Sequence, residues 1–129
     1  VNVFCLGIAR HDDIIKGSPT VFKNPSPTGP DDRYIVVAGS RRGYPYKLDD
    51  PRVAPVRAVT FGSGKELWRL PVPQTDCYSR DCDGSGFYYD GRFFIGVESG
   101  WFYALDPLKT ETWAEGEKPV WRYDSFSLA

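Results

Sequence analysis

The densest run of oxygen-bearing side chains is Asp76-Cys77-Tyr78-Ser79-Arg80-Asp81-Cys82-Asp83-Gly84-Ser85-Gly86, with Asp90 just beyond it. On a twelve-residue calcium loop, Ser79, Asp81, Asp83, Gly84, Ser85 and Asp90 take the first, third, fifth, sixth, seventh and twelfth positions. Calcium needs about six to eight oxygens gathered around a sharp glycine turn, which is the chemistry such a spacing supplies. The segment departs from that pattern in three places. Ser stands first instead of Asp, Asp stands last instead of Glu, and Gly86 occupies a position usually aliphatic. No helix pattern flanks it. The candidate cation ligands are Asp81, Asp83 and Asp90; the competing expectation is an acidic loop joining two structural units.

Other reactive groups are sparse. His11, the single histidine, lies beside Asp12 and Asp13, a possible acid–base or metal group, or a solvated turn. No Ser or Cys sits in a nucleophile motif that could use it. Arg41 and Arg42, with Arg57 and Arg69, could form an anion-binding edge. Glu98 ends an apolar run, pointing into a channel or into solvent. Of the three cysteines, Cys77 and Cys82 are close enough for a small disulfide loop in an oxidising compartment. Two reduced thiols fit the sequence equally well. Neither CxxC nor CxxCH occurs, so zinc-knuckle and haem-attachment readings lack support.

A chain of 129 residues ordinarily makes one domain with a modest core, and 41% hydrophobic with 26% charged residues is a globular composition. The net charge of −1 argues against a nucleic-acid footprint. No stretch approaches the roughly 20 apolar residues of a membrane-spanning helix. The absence of any methionine predicts a fragment or a processed product.

The elements that must position these groups are strands. Four Trp, eight Tyr and eight Phe are punctuated by 13 Gly and 11 Pro, which favours many short strands and leaves little room for a long uninterrupted helix. The pattern is also written twice. Lys16-Gly17-Ser18-Pro19-Thr20-Val21 corresponds to Asp83-Gly84-Ser85-Gly86-Phe87-Tyr88, each a Gly-Ser turn entering a strand. The apolar runs 34–40 and 92–98 follow, leading to turn glycines Gly43 and Gly100. Val56 to Phe61 then matches Trp101 to Asp106, and Glu66 to Leu70 matches Pro119 to Tyr123. Insertions fall between strands, at 24–31, 44–55 and 112–118, where extra length costs little. Four strands per unit predict two antiparallel meanders, over about 14–70 and 83–123, with 124–129 approaching a next unit.

Ala58, Ser63, Gly64 and Trp68 carry a resemblance to a known family. This array resembles the tryptophan-docking repeat of the PQQ-like (quinoprotein-type) β-propellers: Ala, Asp, Thr-Gly and Trp at fixed offsets across the last two strands. Thr60 replaces the usual Asp. In the second unit Ala104 and Asp106 match, Lys109-Thr110 stands where Thr-Gly is expected, and the tryptophan is delayed to Trp121 or displaced to Trp113. The resemblance covers roughly residues 14 to 123. It implies an all-β fold of two four-stranded antiparallel blades, part of a seven- or eight-bladed ring, docked through Ala58, Gly64, Trp68, Ala104, Asp106 and Trp121.

The same resemblance implies a non-catalytic binding or assembly scaffold for protein or ligand, periplasmic or extracellular, like outer-membrane assembly lipoproteins or sensor domains of bacterial membrane kinases. Neighbouring blades would be its partners, together with a protein contacting the rim, for which Tyr44-Pro45-Tyr46 is suited. No cofactor is expected in this segment, and no nucleic acid or membrane span. The alternative is part of a PQQ-dependent alcohol or sugar dehydrogenase, with PQQ and calcium in the channel; the adjacent-cysteine ring of those enzymes is missing. A calcium-binding propeller of the integrin type is a third expectation, resting on the Asp-rich segment alone.

Overall fold

Runs of β-branched and aromatic residues, cut every few residues by Gly, Pro, Asn or Asp, set the element boundaries. The structure, a computed structural model, describes residues 15–40, 54–72, 82–109 and 121–124. Eight strands follow in order: β1 Thr20–Lys23, β2 Tyr34–Gly39, β3 Val56–Thr60, β4 Glu66–Leu70, β5 Phe87–Tyr89, β6 Arg92–Gly96, β7 Trp101–Leu105 and β8 Trp121–Asp124. Among the described residues there is no helix, and so none long and apolar enough to cross a membrane. The fold is all-β. Two four-stranded antiparallel sheets form, β1-β2-β3-β4 and β5-β6-β7-β8, each a simple meander.

The two sheets share one register. Thr20 pairs with Val37 as Phe87 pairs with Phe94; Gly39 faces Val56 as Gly96 faces Phe102. Ala58 lies opposite Trp68, and Ala104 lies opposite Trp121. Trp121 thus stands at the register position that Trp68 holds in the first sheet, while Trp113 lies outside the described residues. A bulge between Ala58 and Val59 sets the first sheet apart.

Turn chemistry follows local sequence. Asp90 and Gly91 form the two-residue connection of β5 and β6, with φ of 46° and 77°. Positive φ at both central residues is the type I′ hairpin, for which Asp-Gly is suited. In the β3–β4 turn, Gly64 (φ 75°) donates its N–H to the Thr60 carbonyl at 3.1 Å. The Thr60 hydroxyl accepts the Lys65 N–H at 3.1 Å, much as the Asp106 carboxylate accepts the Leu108 N–H at 3.0 Å. Thr in place of Asp thus keeps an oxygen at the end of the third strand to hold the turn.

The core lies between the sheets. Phe22, Ile35, Val37, Val56, Ala58, Trp68 and Leu70 of the first sheet join Phe93, Ile95, Tyr103 and Leu105 of the second in one buried cluster. Phe22 stacks on Tyr88 with ring centroids 4.3 Å apart and planes 4° from parallel. Alternation along each strand decides which residues reach this layer.

Candidate functional site

The seam between the sheets is the most constructed place in the molecule. Trp68 is fully buried, and its indole N–H donates to the Pro107 carbonyl of the second unit at 3.1 Å. An indole buries about 150–250 Å² and supplies one directional donor, so this side chain both fills and orients the contact. At the other side of the seam, equivalent residues of the two units meet one another. The Ser18 N–H donates to Ser85 Oγ at 2.9 Å, and Thr20 Oγ1 donates to the Gly86 carbonyl at 2.6 Å. Lys16 Nζ pairs with Asp83 Oδ2 at 2.8 Å. A Cβ on Gly17 would collide with the Gly84 carbonyl, so glycine is required for this approach. The first unit is thus followed by its own repeat in step, 67 residues later.

The lead-in to the second unit also fills a slot in the first. Cys82 is buried, its N–H donates to the Ser40 carbonyl at 2.8 Å, and its Sγ lies 3.6 Å from the Gly96 carbonyl. A Cβ on Gly39 would sit 2.5 Å from Cys82 Sγ, so the missing side chain of Gly39 makes the room that Cys82 takes.

The corresponding slot of the second unit is an open groove of about 330 Å³. Gly84 and Gly96 form its floor, Trp101 and Phe102 its apolar wall, and Asp83 and Glu98 its acidic edge. The Asp83 Oδ1 is buried and has no hydrogen-bond partner among the described residues. Glu98 is exposed in the β6–β7 turn, closed by a 3.1 Å bond from the Gly100 N–H to the Val97 carbonyl.

A second cavity of about 180 Å³ lies where the 24–33 loop meets the second unit, lined by Asn24, Ser26, Thr28, Asp32, Ile35, Leu67 and Leu108. Asp32 organises this loop. Its carboxylate accepts the Thr28 and Gly29 N–H groups and the Thr28 hydroxyl, all at 2.9–3.0 Å. These donors, the Thr28 N–H foremost, hold the Asp32 carboxyl below the ordinary carboxylate value. Buried Asn24 adds a bond to the Asp32 carbonyl at 2.9 Å and accepts the Ser26 N–H at 2.9 Å.

The residues singled out from sequence scatter. Asp83 lies in the groove, and Asp90 in the hairpin at the far end of β5, with roughly 10 Å of extended strand between. Among the described residues no group of three His, Cys, Asp or Glu side chains comes together. Asp81, Cys77, His11, Asp12, Asp13, Arg41, Arg42, Gly43 and Tyr44-Pro45-Tyr46 lie outside the described residues. Arg57 and Arg69 are neighbours across β3 and β4, and both turn to Glu66. Arg69 binds it through two nitrogens at 2.7 and 3.1 Å, and Arg57 approaches it at 3.6 Å. Sequence reading missed Asp32, Asn24 and the Lys16–Asp83 pair. Opposite charges at the same place in two aligned repeats were the available signal for that pair.

No protein-family model matches the sequence, and no curated protein matches it. Among solved structures, BamB from Moraxella catarrhalis is similar at 16% sequence identity, with a TM-score of 0.49. The match covers 86% of this chain and 24% of that one, so the chain spans about a quarter of that protein's length.

Proposed function

We propose that this chain is a non-catalytic β-propeller-type repeat segment that serves as a binding or assembly scaffold for protein or ligand. The observation that carries the reading is the seam: two units in one register, joined by Trp68 at one side and by step-matched lead-ins at the other. Such a seam turns two small sheets into one rigid body, and loops on a rigid body are suited to recognition. Ala58 and Trp68, with Ala104 and Trp121 at the same register positions, are assigned as the docking pairs of successive units. Gly64 and Asp106 hold the turns beside them. A periplasmic or extracellular setting belongs to the same proposal.

The test has two parts. If the seam makes one body, the purified chain melts in a single cooperative transition, and Trp68→Ala splits or broadens it. If the role is scaffolding, adding PQQ with calcium gives neither a bound-quinone absorbance nor dye-linked alcohol oxidation. Quinone binding with turnover would replace this reading with the dehydrogenase one.

A further inference from the structure

The 24–33 loop and the seam between the units share one cavity. The loop contributes Asn24, Ser26, Thr28 and Asp32 to its wall, β4 contributes Leu67, and the second unit contributes Leu108. Leu67 and Leu108 also pack against the buried core. They are the chain neighbours of Trp68 and Pro107, whose hydrogen bond ties the two units. The bulge between Ala58 and Val59 leaves Leu67 without a register partner beside that tryptophan. The loop thus forms part of the wall next to the seam's one indole bond.

A single residue holds this part of the wall in place. The Asp32 carboxylate accepts the Thr28 N–H, the Thr28 hydroxyl and the Gly29 N–H, and the Asp32 carbonyl accepts Asn24 Nδ2 at 2.9 Å. Ser26 is tied one step further out, its N–H donating to Asn24 Oδ1 at 2.9 Å. Each of the other loop residues in the cavity wall is therefore bonded to Asp32, or to Asn24, which is. Hydrogen bonds to an ionised carboxylate are about twice as strong as neutral ones, so this arrangement depends on the charge.

We propose that Asp32 is an acid-released latch on the seam: protonating its carboxylate frees the 26–29 segment, and water then reaches the Trp68–Pro107 hydrogen bond. The donors on Asp32 hold its carboxyl below the ordinary value. The latch is accordingly closed above that value and opens as pH falls through the lowered one. Asp31 and Arg33 flank it in the loop, and Lys23 lies opposite Tyr34 at the end of β1. Lys65 and Glu66 start β4, and Asp106 and Lys109 belong to the turn of the second unit. The other carboxylates have different bonds: Asp31 to Ser63, Glu66 to Arg69, and Asp106 to the Leu108 N–H. This device lies within the chain, goes beyond the scaffold reading and does not rest on it.

Exchange of the Trp68 indole proton, followed by NMR and assigned by its loss in Trp68→Phe, tests the latch. With rates expressed as protection relative to a free indole, wild-type protection is expected to fall about threefold or more as Asp32 protonates. The Ile95 and Tyr103 amides should keep their protection over the same range. Asp32→Asn should show the low, acid-like protection already at neutral pH and respond no further. Thr28→Ala removes one donor from the carboxylate and should move the transition to higher pH. Asp31→Asn and Asp106→Asn should leave the response in place.

An Asp32→Asn variant with wild-type Trp68 protection at neutral pH overturns the proposal, and so does an unmoved transition in Thr28→Ala. Loss of Trp68, Ile95 and Tyr103 protection together would mean that acid unfolds the whole chain instead. A response abolished by Asp106→Asn would transfer the latch to the second unit's turn.

Discussion

Trp68 couples the sheets in two ways, and substitutions can part them. Trp68→Ala removes a fully buried side chain and should cost about 3–5 kcal/mol of unfolding free energy. Trp68→Phe keeps most of the apolar contact but leaves the Pro107 carbonyl without its donor, at about 1–3 kcal/mol. Equal losses for the two, measured by urea unfolding, would mean that the hydrogen bond rather than the indole's bulk decides. Asp32 is the residue with a predictable pH response. Its folded carboxyl titrates below the unfolded one, so its contribution is complete above the ordinary carboxylate value and disappears as pH falls through the lowered value. Amide exchange in the 24–33 loop should therefore rise selectively under acid, and Asp32→Asn should remove that pH dependence. Calcium at millimolar concentration should leave the melting temperature unchanged, because β5 stands between Asp83 and Asp90. A rise abolished by Asp83→Asn would instead put a cation in this loop.

At the level of elements, the β5–β6 hairpin depends on its two turn residues. Gly91 at φ 77° admits a side chain poorly, so Gly91→Ala should destabilise by about 1–2 kcal/mol although no neighbour lies within reach of the new methyl. Asp90→Asn should be neutral or slightly stabilising, since Asn-Gly suits the same turn. Thermal unfolding of the pair separates backbone strain from lost contacts. The first unit shows a different local solution. Its β3–β4 turn leans on the 24–33 loop, through Ser63 Oγ donating to Asp31 Oδ2 at 2.9 Å and the Gly62 N–H donating to the Asp31 carbonyl at 3.0 Å. The long Pro-rich insertion is thus part of the unit's own bracing, which its composition alone did not indicate.

For the molecule as a whole, the informative property is asymmetry between equal parts. The first sheet has its Trp68 face covered, and the second presents the matching face with aromatic rings exposed. Phe87, Tyr89 and Tyr123 are the exposed rings, at the register places that Thr20, Phe22 and Leu70 hold in the first sheet.

Much of the architecture was written in the chain. Short apolar runs, glycine and Asp-Gly turns, and the doubled order of the four segments specify eight strands in two meanders, because these are local properties of backbone and side chain. Alternation also told which residues share a face. It could not tell which face is covered, since Phe22 and Tyr89 occupy equivalent places and only the second sheet buries the first of them. Nor could it show that Lys16 meets Asp83, that Arg57 and Arg69 both turn to Glu66, or that Cys82 fills the slot at Gly39. Those are contacts between segments distant along the chain or across neighbouring strands. They exist only once sheet packing has brought the segments together.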